Sequence, residues 1–120
     1  MKELIEQAKK RGTRFFLLGA GPVSETTFRA TMNLAKRRNC PPMLIASRNQ
    51  MDSLSFGGGY LKGGMDQPRF VELIRKFQAA AGYDGPLYIC RDHGGPWQRD
   101  EELQNRYPVA RAMELARQSF

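Results

Sequence analysis

The segment "MLIASRNQ" at Met43–Gln50, a short apolar run that ends abruptly in polar side chains, decides the fold class of this chain. A run of this length, preceded by two prolines, is typical of a strand buried in a parallel sheet. Similar runs occur as "TRFFLLGAGP" at Thr13–Pro22 and "GPLYICRD" at Gly85–Asp92. The sequence therefore predicts three buried strands.

Segments with helical spacing precede and follow each of these runs. The first helix covers residues 2–11 and stops before Gly12. Ser24 and Asp66 can cap two further helices. Pro108 either opens the last helix or breaks one that begins near Glu101. The apolar positions of these helices are Leu4, Ile5 and Ala8; Phe28, Met32 and Ala35; Phe70, Leu73, Ile74 and Phe77; and Val109, Ala112, Met113 and Ala116. Strands that alternate with helices predict an α/β domain over residues 1–120, with an opening helix, three strand–helix units and parallel strands.

The composition predicts a cytoplasmic protein that binds neither membrane nor nucleic acid. No apolar run approaches the roughly 20 residues that cross a bilayer, and the acidic residues near the N-terminus do not fit a signal peptide. The net charge is +7, but basic clusters at residues 9–11 and 36–38 fall at predicted helix ends. Cations are favoured there by the helix dipole, so these clusters are interpreted as solvated helix ends rather than a phosphate-binding surface.

Small or polar residues follow all three predicted strands. The first strand ends in "GAGP" at Gly19–Pro22, the second in "SRNQ" at Ser47–Gln50, and the third in "RDH" at Arg91–His93. Because the carboxyl ends of parallel strands share one edge of a sheet, we expect these groups to meet in one crevice. The sequence thus predicts a binding site at that edge.

Asp92 and His93, the only histidine, are the strongest candidates for chemistry. A carboxylate can transfer a proton, and a neutral imidazole can bind a metal ion. Arg91 adds a third titratable group, and Gly94 and Gly95 let the backbone approach a ligand. The same residues also fit a surface turn in which Asp92 bonds local N–H groups.

Other polar residues near these strand ends have two interpretations each. Asn49 and Gln50 can bind sugar hydroxyls, and they fit loop caps equally well. Trp97 can stack on a sugar ring or pack beside Pro96. Neither "FGGGYLKGG" nor "GAGPVSE" matches a phosphate- or dinucleotide-binding motif, because the former lacks Gly-Lys-Ser/Thr and the latter lacks G-x-G-x-x-G.

The segments "ASRNQMDSLSFGGGYLKGGM" at residues 46–65 and "DHGGPWQ" at residues 92–98 together resemble a family of class II aldolase relatives. These are the non-catalytic subunits of tagatose-1,6-bisphosphate aldolase, which carry "SNQ", "FGGYTGM" and "DHLGPN" in the same order. The similarity extends over roughly residues 40–98. Departures are Arg48, where the family has a small residue, a longer Gly-rich loop, Gly94 in place of a leucine and Trp97 in place of an asparagine.

The resemblance implies a (β/α)₈ TIM-type barrel, of which this chain would be the first three units. It implies carbohydrate metabolism, with Asp92 at the acid/base position and His93 as a ligand of a divalent metal, most simply zinc. From their own place at the strand ends, the residues expected to bind a sugar phosphate or sugar acid are Arg48, Asn49, Gln50, Arg91, Gly94 and Gly95.

A catalytic zinc needs about three protein ligands, and this chain has one histidine. Three functions therefore remain open. The first is part of a non-catalytic subunit that supports the folding and activity of a catalytic aldolase subunit, with no catalysis and no metal bound by this chain alone. The second is a metal-dependent epimerase or aldolase that acts on sugar acids or sugar phosphates. The third is a small α/β binding module without catalysis.

Overall fold

Helices and parallel strands alternate in the computed structural model, which describes residues 2–14 and 17–119. The α/β class predicted from the sequence is confirmed. In chain order the elements are α1 (Lys2–Lys10), β1 (Leu18–Ala20), α2 (Glu25–Arg38), β2 (Pro42–Ser47), α3 (Gln67–Ala81), β3 (Tyr88–Asp92), α4 (Asp100–Gln104) and α5 (Val109–Gln118). The loop after β2 contains two single turns of 3₁₀-helix, at Leu54–Phe56 and Leu61–Gly63.

The sheet has the strand order β1-β2-β3, and both pairs of neighbours are parallel. Leu18 is aligned with Pro42, and Ser47 is aligned with Asp92. The first strand is shorter than the predicted run at residues 13–22, and the Phe15–Phe16 part of that prediction lies outside the described residues.

Local capping signals set the ends of α2 and α3. The side chains of Ser24 and Asp66 accept hydrogen bonds from the backbone N–H groups of Thr27 and Arg69, at 3.3 and 3.0 Å. Both caps were predicted because a short polar side chain satisfies an N–H group that the helix leaves free. Asn39 and Gly82 close the two helices in the left-handed conformation, as a C-cap requires.

Helices α2 and α3 cover one face of the sheet, and an aromatic cluster lies between them. The Phe28 ring lies 5.6 Å from Phe70 in an edge-to-face arrangement and 5.8 Å from Phe77 in a stacked one. Leu44 and Ala46 of β2 are buried in the same core. A buried phenylalanine removes a large apolar area from water, so this cluster stabilises the packing of α2 and α3 on the sheet.

The other face of the sheet has no helical layer among the described residues. Met43 and Ile45 alternate with the buried residues of β2 and are only partly buried, which follows from the two-residue period of a strand. The Cα atoms extend 50 × 32 × 17 Å, and their radius of gyration is 16.7 Å. A compact domain of this length has a radius of about 14 Å. The molecule is therefore a thin slab of one sheet and one helical layer.

The structure of the segment after β3 differs in part from the predicted last helix. Helix α4 ends at Gln104, and Pro108 takes the N-cap position of α5, so the proline both follows one helix and opens the next. Val109 and Met113 were expected on the apolar face, but they are exposed. The buried side of α5 consists of Ala112, Leu115 and Ala116, a register that turns Leu115 inward instead. No helix in the described ranges has the length and apolar character that would cross a bilayer.

Candidate functional site

The carboxyl ends of β2 and β3 meet at one edge of the sheet, where a site was predicted. Ser47 and Asp92 are register partners, so the residues that follow each strand begin side by side. Strand β1 reaches less far, since Ala20 is aligned with Leu44, three residues before the end of β2. The candidate site is therefore formed mainly by the segments after β2 and β3.

Asp92 and His93 are the exposed members of this site. Their side chains are 58% and 65% exposed, and His93 Nε2 lies 3.5 Å from Asp92 Oδ2. The His93 backbone N–H donates to Asp92 Oδ1 at 2.9 Å, and the ring nitrogen Nδ1 lies 3.3 Å from Gln98 Oε1. His93 has a positive φ of 47°, an uncommon conformation for a residue with a side chain. The pair is thus open to a ligand, and its backbone also has the hydrogen bonding of a turn.

Arg48 is buried behind the exposed residues of the site. It is 1% exposed, and its Nη2 and Nη1 atoms lie 2.8 and 3.4 Å from the two carboxylate oxygens of Glu102. Nη1 also donates to the Gly95 carbonyl at 3.2 Å, and Nε lies 3.8 Å from Asp52 Oδ2. The guanidinium therefore joins the end of β2 to the loop after β3 and to α4.

Arg91 points away from Asp92, toward the face that the helices cover. It is aligned with the buried Ala46, and its guanidinium donates to the carbonyls of Ser47, Met51 and Ser119. Burial lowers the pKa of Arg91 from its usual value, and Asp52 opposes part of that shift. The side chain binds backbone at the end of β2 and at the end of α5.

The amide residues after β2 are placed differently from each other. Gln50 Oε1 accepts the Ser47 N–H at 2.8 Å, so this side chain caps the turn after β2. Asn49 is exposed, and its carbonyl accepts the Tyr60 N–H at 2.9 Å. Asn49 is therefore the amide of this pair whose side chain faces solvent.

The "HGGPW" segment runs from the exposed pair back into the protein. Gly95 faces open space, where a Cβ atom would meet nothing within 4 Å. The partly buried Gly94 lies between it and His93. Trp97 is partly buried, and its indole N–H donates to the Tyr107 carbonyl at 2.9 Å. The indole is thus held by a hydrogen bond to the segment between α4 and α5.

Sequence reasoning missed a group of charges that packs behind the site. Glu102 is 1% exposed, and Asp52 is 2% exposed. Arg99 Nε lies 3.9 Å from Asp52 Oδ2, and its guanidinium carbon lies 4.9 Å from the centre of the Phe56 ring. These residues come from two segments that are far apart in sequence, residues 52–56 and residues 99–102, and no motif links the two. Only the fold brings them together.

A cavity of about 470 Å³ lies beside this charge group, at the end of β2. Its lining residues are Arg48, Asn49, Asp52, Gly58, Tyr60, Arg99, Asp100 and Glu101. Polar side chains and the 64% exposed Tyr60 ring surround the opening. Such a lining can hydrogen-bond and stack on a small polar molecule.

The donor atoms of the chain do not fit a zinc centre. Within residues 2–14 and 17–119, no group of three His, Cys, Asp or Glu side chains is close enough to bind a metal ion. Asp92 and His93 supply one carboxylate and one imidazole, whereas a catalytic zinc has three protein ligands.

Comparisons of the chain with protein-family models, curated proteins and solved structures give no significant match.

Proposed function

We propose that this chain forms the first three βα units of a (β/α)₈ barrel and serves as part of a non-catalytic subunit that supports a class II tagatose-bisphosphate aldolase. The observation that carries the proposal is the position of Asp92 and His93, exposed at the carboxyl end of β3 and next to the end of β2. Barrel enzymes hold their sites at this end of the strands. The resemblance in "SRNQ" and "DHGGP" supports the same class of protein.

The strand order and the position of the helices support a barrel rather than a doubly wound sheet. Strands follow one another in the order β1-β2-β3, and α2 and α3 pack together on one face. A doubly wound sheet reverses its strand order and carries helices on both faces, whereas a barrel keeps every helix outside. Under this proposal the open face, to which Ser47 and Asp92 belong, would be the barrel interior.

The supporting role is favoured over catalysis by what the candidate residues already bind. Arg48 pairs with Glu102, Arg91 binds three backbone carbonyls, and Gln50 caps a turn. Asp92, His93 and Asn49 keep exposed side chains that could bind a sugar phosphate, and Asp92 and His93 lack the further ligands of a metal centre. In this subunit they would bind or position sugar, and the chemistry would belong to the catalytic subunit.

Co-expression with the catalytic subunit of a class II tagatose-bisphosphate aldolase tests the proposal. We expect this chain to increase the soluble yield and the lifetime of aldol-cleavage activity. The double variant Asp92→Asn/His93→Ala should keep that effect, because neither residue performs chemistry here. An unchanged yield and lifetime in the presence of the chain would exclude the supporting role.

The same assay separates the two alternatives. If Asp92→Asn alone abolished an activity that the unmodified chain brings, the metal-dependent epimerase or aldolase would be the better interpretation. The small non-catalytic α/β module is favoured by one observation, the turn-type hydrogen bond from the His93 N–H to Asp92 Oδ1. That module would neither bind the aldolase nor respond to sugar phosphates.

A further inference from the structure

We propose that the groove between α2 and α3 on the outer face of the helical layer is a binding site for the phosphate group of a small metabolite. The cavity there has a volume of about 210 Å³. It is lined by Arg29, Asn33, Lys76, Phe77, Ala80 and Ala81. This groove is separate from the strand-end site, and the inference does not depend on the proposed function.

Two cations share one aromatic ring in this groove. The guanidinium carbon of Arg29 lies 5.6 Å from the centre of the Phe77 ring, and Lys76 Nζ lies 5.8 Å from it. A cation this close to a ring is held by the negative charge of the aromatic face. Both side chains are therefore directed toward the groove instead of extending freely into water.

The position of Phe77 is fixed by the core. The ring stacks on Phe28 at an interplanar angle of 11°, and Phe77 is only 3% exposed. The core thus holds the ring on which the guanidinium of Arg29 and the ammonium of Lys76 both rest, at 5.6 and 5.8 Å from its centre.

The charged side chains that line this groove, Arg29 and Lys76, are both positive. No carboxylate lines the cavity, and neither Arg29 nor Lys76 has an ion pair with an acidic group in the described part of the chain. Two neighbouring positive charges repel each other, and an anion between them removes that repulsion. The arrangement therefore favours a ligand with concentrated negative charge.

The donors in the groove match a phosphate group. Arg29 offers a planar fork of N–H donors, Lys76 offers an ammonium, and Asn33 adds an amide, which together can reach several oxygens of one tetrahedral anion. Ala80 and Ala81 leave space beside them. The volume suits one phosphate group and a small part of the molecule that carries it, and it is below the 300–1,000 Å³ typical of sites that enclose a whole ligand.

Titration of the ¹⁵N-labelled chain with inorganic phosphate tests this site, with sodium chloride adjusted to hold ionic strength constant. We expect saturable shifts of the Asn33 and Phe77 amide signals. We also expect a rise in melting temperature with phosphate, because a ligand that binds only the folded state stabilises it. Arg29→Gln and Lys76→Gln should each weaken binding about tenfold, since each removes a charged hydrogen-bond donor.

Arg75→Gln is the matched control, because it removes the same charge from the same helix. The Arg75 guanidinium donates to Gln78 Oε1 at 2.9 Å and does not line the groove. Replacing Arg29 or Lys76 also removes a cation–π contact with Phe77, so the phosphate response of each variant is measured as the rise above its own melting temperature without phosphate. Shifts that do not saturate, or equal weakening by Arg75→Gln and Lys76→Gln, would overturn the proposal. Binding to anionic phospholipid vesicles without any response to free phosphate would overturn it as well.

Discussion

Arg48 and Glu102, 54 residues apart in the chain, form a buried ion pair in which Arg48 Nη2 lies 2.8 Å from Glu102 Oε1. Both side chains are 1% exposed or less. The same guanidinium donates to the Gly95 carbonyl, so one side chain connects the end of β2, the glycine turn and α4. Because both side chains are buried, water cannot hydrogen-bond to one of them when the other is removed. The site next to it is therefore sensitive to this pair.

Replacing only one partner should be strongly destabilising. Glu102→Gln removes the closer of the two carboxylates that face the guanidinium and leaves only Asp52, 3.8 Å from Nε, so we expect a loss of about 3–5 kcal/mol in the free energy of unfolding. The double variant Arg48→Met/Glu102→Leu removes both charges and should recover most of that loss. Urea unfolding followed by circular dichroism measures both.

Asp100→Asn, an exposed change on the same helix, serves as the control and should cost less than about 0.5 kcal/mol. If Glu102→Gln unfolded at the same urea concentration as Asp100→Asn, the pair would have no net role in stability.

Gly59 allows the loop after β2 to fold against the strand end. A Cβ atom at this position would lie 2.2 Å from the carbonyl carbon and oxygen of Gln50, and backbone cannot move aside as a flexible side chain can. We expect Gly59→Ala to lower the free energy of unfolding by roughly 1–3 kcal/mol, the usual range for overpacking.

Gly95→Ala is the matched control for Gly59→Ala, because nothing lies within 4 Å of the added atom. Thermal melts of the two variants should differ clearly. Equal melting temperatures would contradict the close approach of Gly59 to Gln50.

The parts of the fold that could be predicted from the sequence depend on neighbours in the chain. Ser24, Asn39, Asp66 and Gly82 act on backbone groups within one helical turn, so the ends of α2 and α3 could be predicted. Which side of α5 faces the core could not be predicted in this way. Apolar residues at both Met113 and Leu115 allow two faces, and only packing against the rest of the molecule selects Leu115.

The candidate site, like the fold, could be predicted only in part. That the segments after β2 and β3 lie side by side follows from a rule for parallel strands, and the Ser47–Asp92 register agrees with it. The surroundings of Arg48 could not be predicted, because its partner Glu102 comes from a helix that begins eight residues after β3 and carries no motif. An arginine in "SRNQ" therefore suggested a ligand contact, whereas the fold pairs it internally.

Because of Tyr83, the free energy of unfolding should decrease at alkaline pH. Burial raises its pKa above the usual 10.0, with smaller contributions from Cys40 and Asp84, and its hydroxyl donates to the Pro86 carbonyl at 2.8 Å. A raised pKa means that the folded state favours the protonated phenol. This contribution is complete below pH 10 and is lost as the pH rises through the folded-state pKa.

The comparison with Tyr83→Phe isolates this effect. Below pH 10 the variant should be less stable by about 1 kcal/mol, because the bond to Pro86 is lost. As the pH rises above 10 the difference between the two proteins should shrink, since the unmodified protein loses the contribution of the neutral phenol. Urea unfolding at a series of alkaline pH values measures the difference, and a difference that stays constant with pH would refute the assignment to Tyr83.

Zinc titration tests whether Asp92 and His93 form a metal site without further ligands. We expect no tight stoichiometric binding, because one imidazole and one carboxylate leave a tetrahedral ion with two positions filled by water. Competition with a zinc-binding dye gives the affinity. Cys90→Ser controls for binding by a free thiol and should leave the weak affinity unchanged, whereas His93→Ala should only lower it further. A one-to-one site that His93→Ala abolishes would show that the chain completes a zinc centre, and the metal-dependent enzyme would then replace the supporting subunit as the better interpretation.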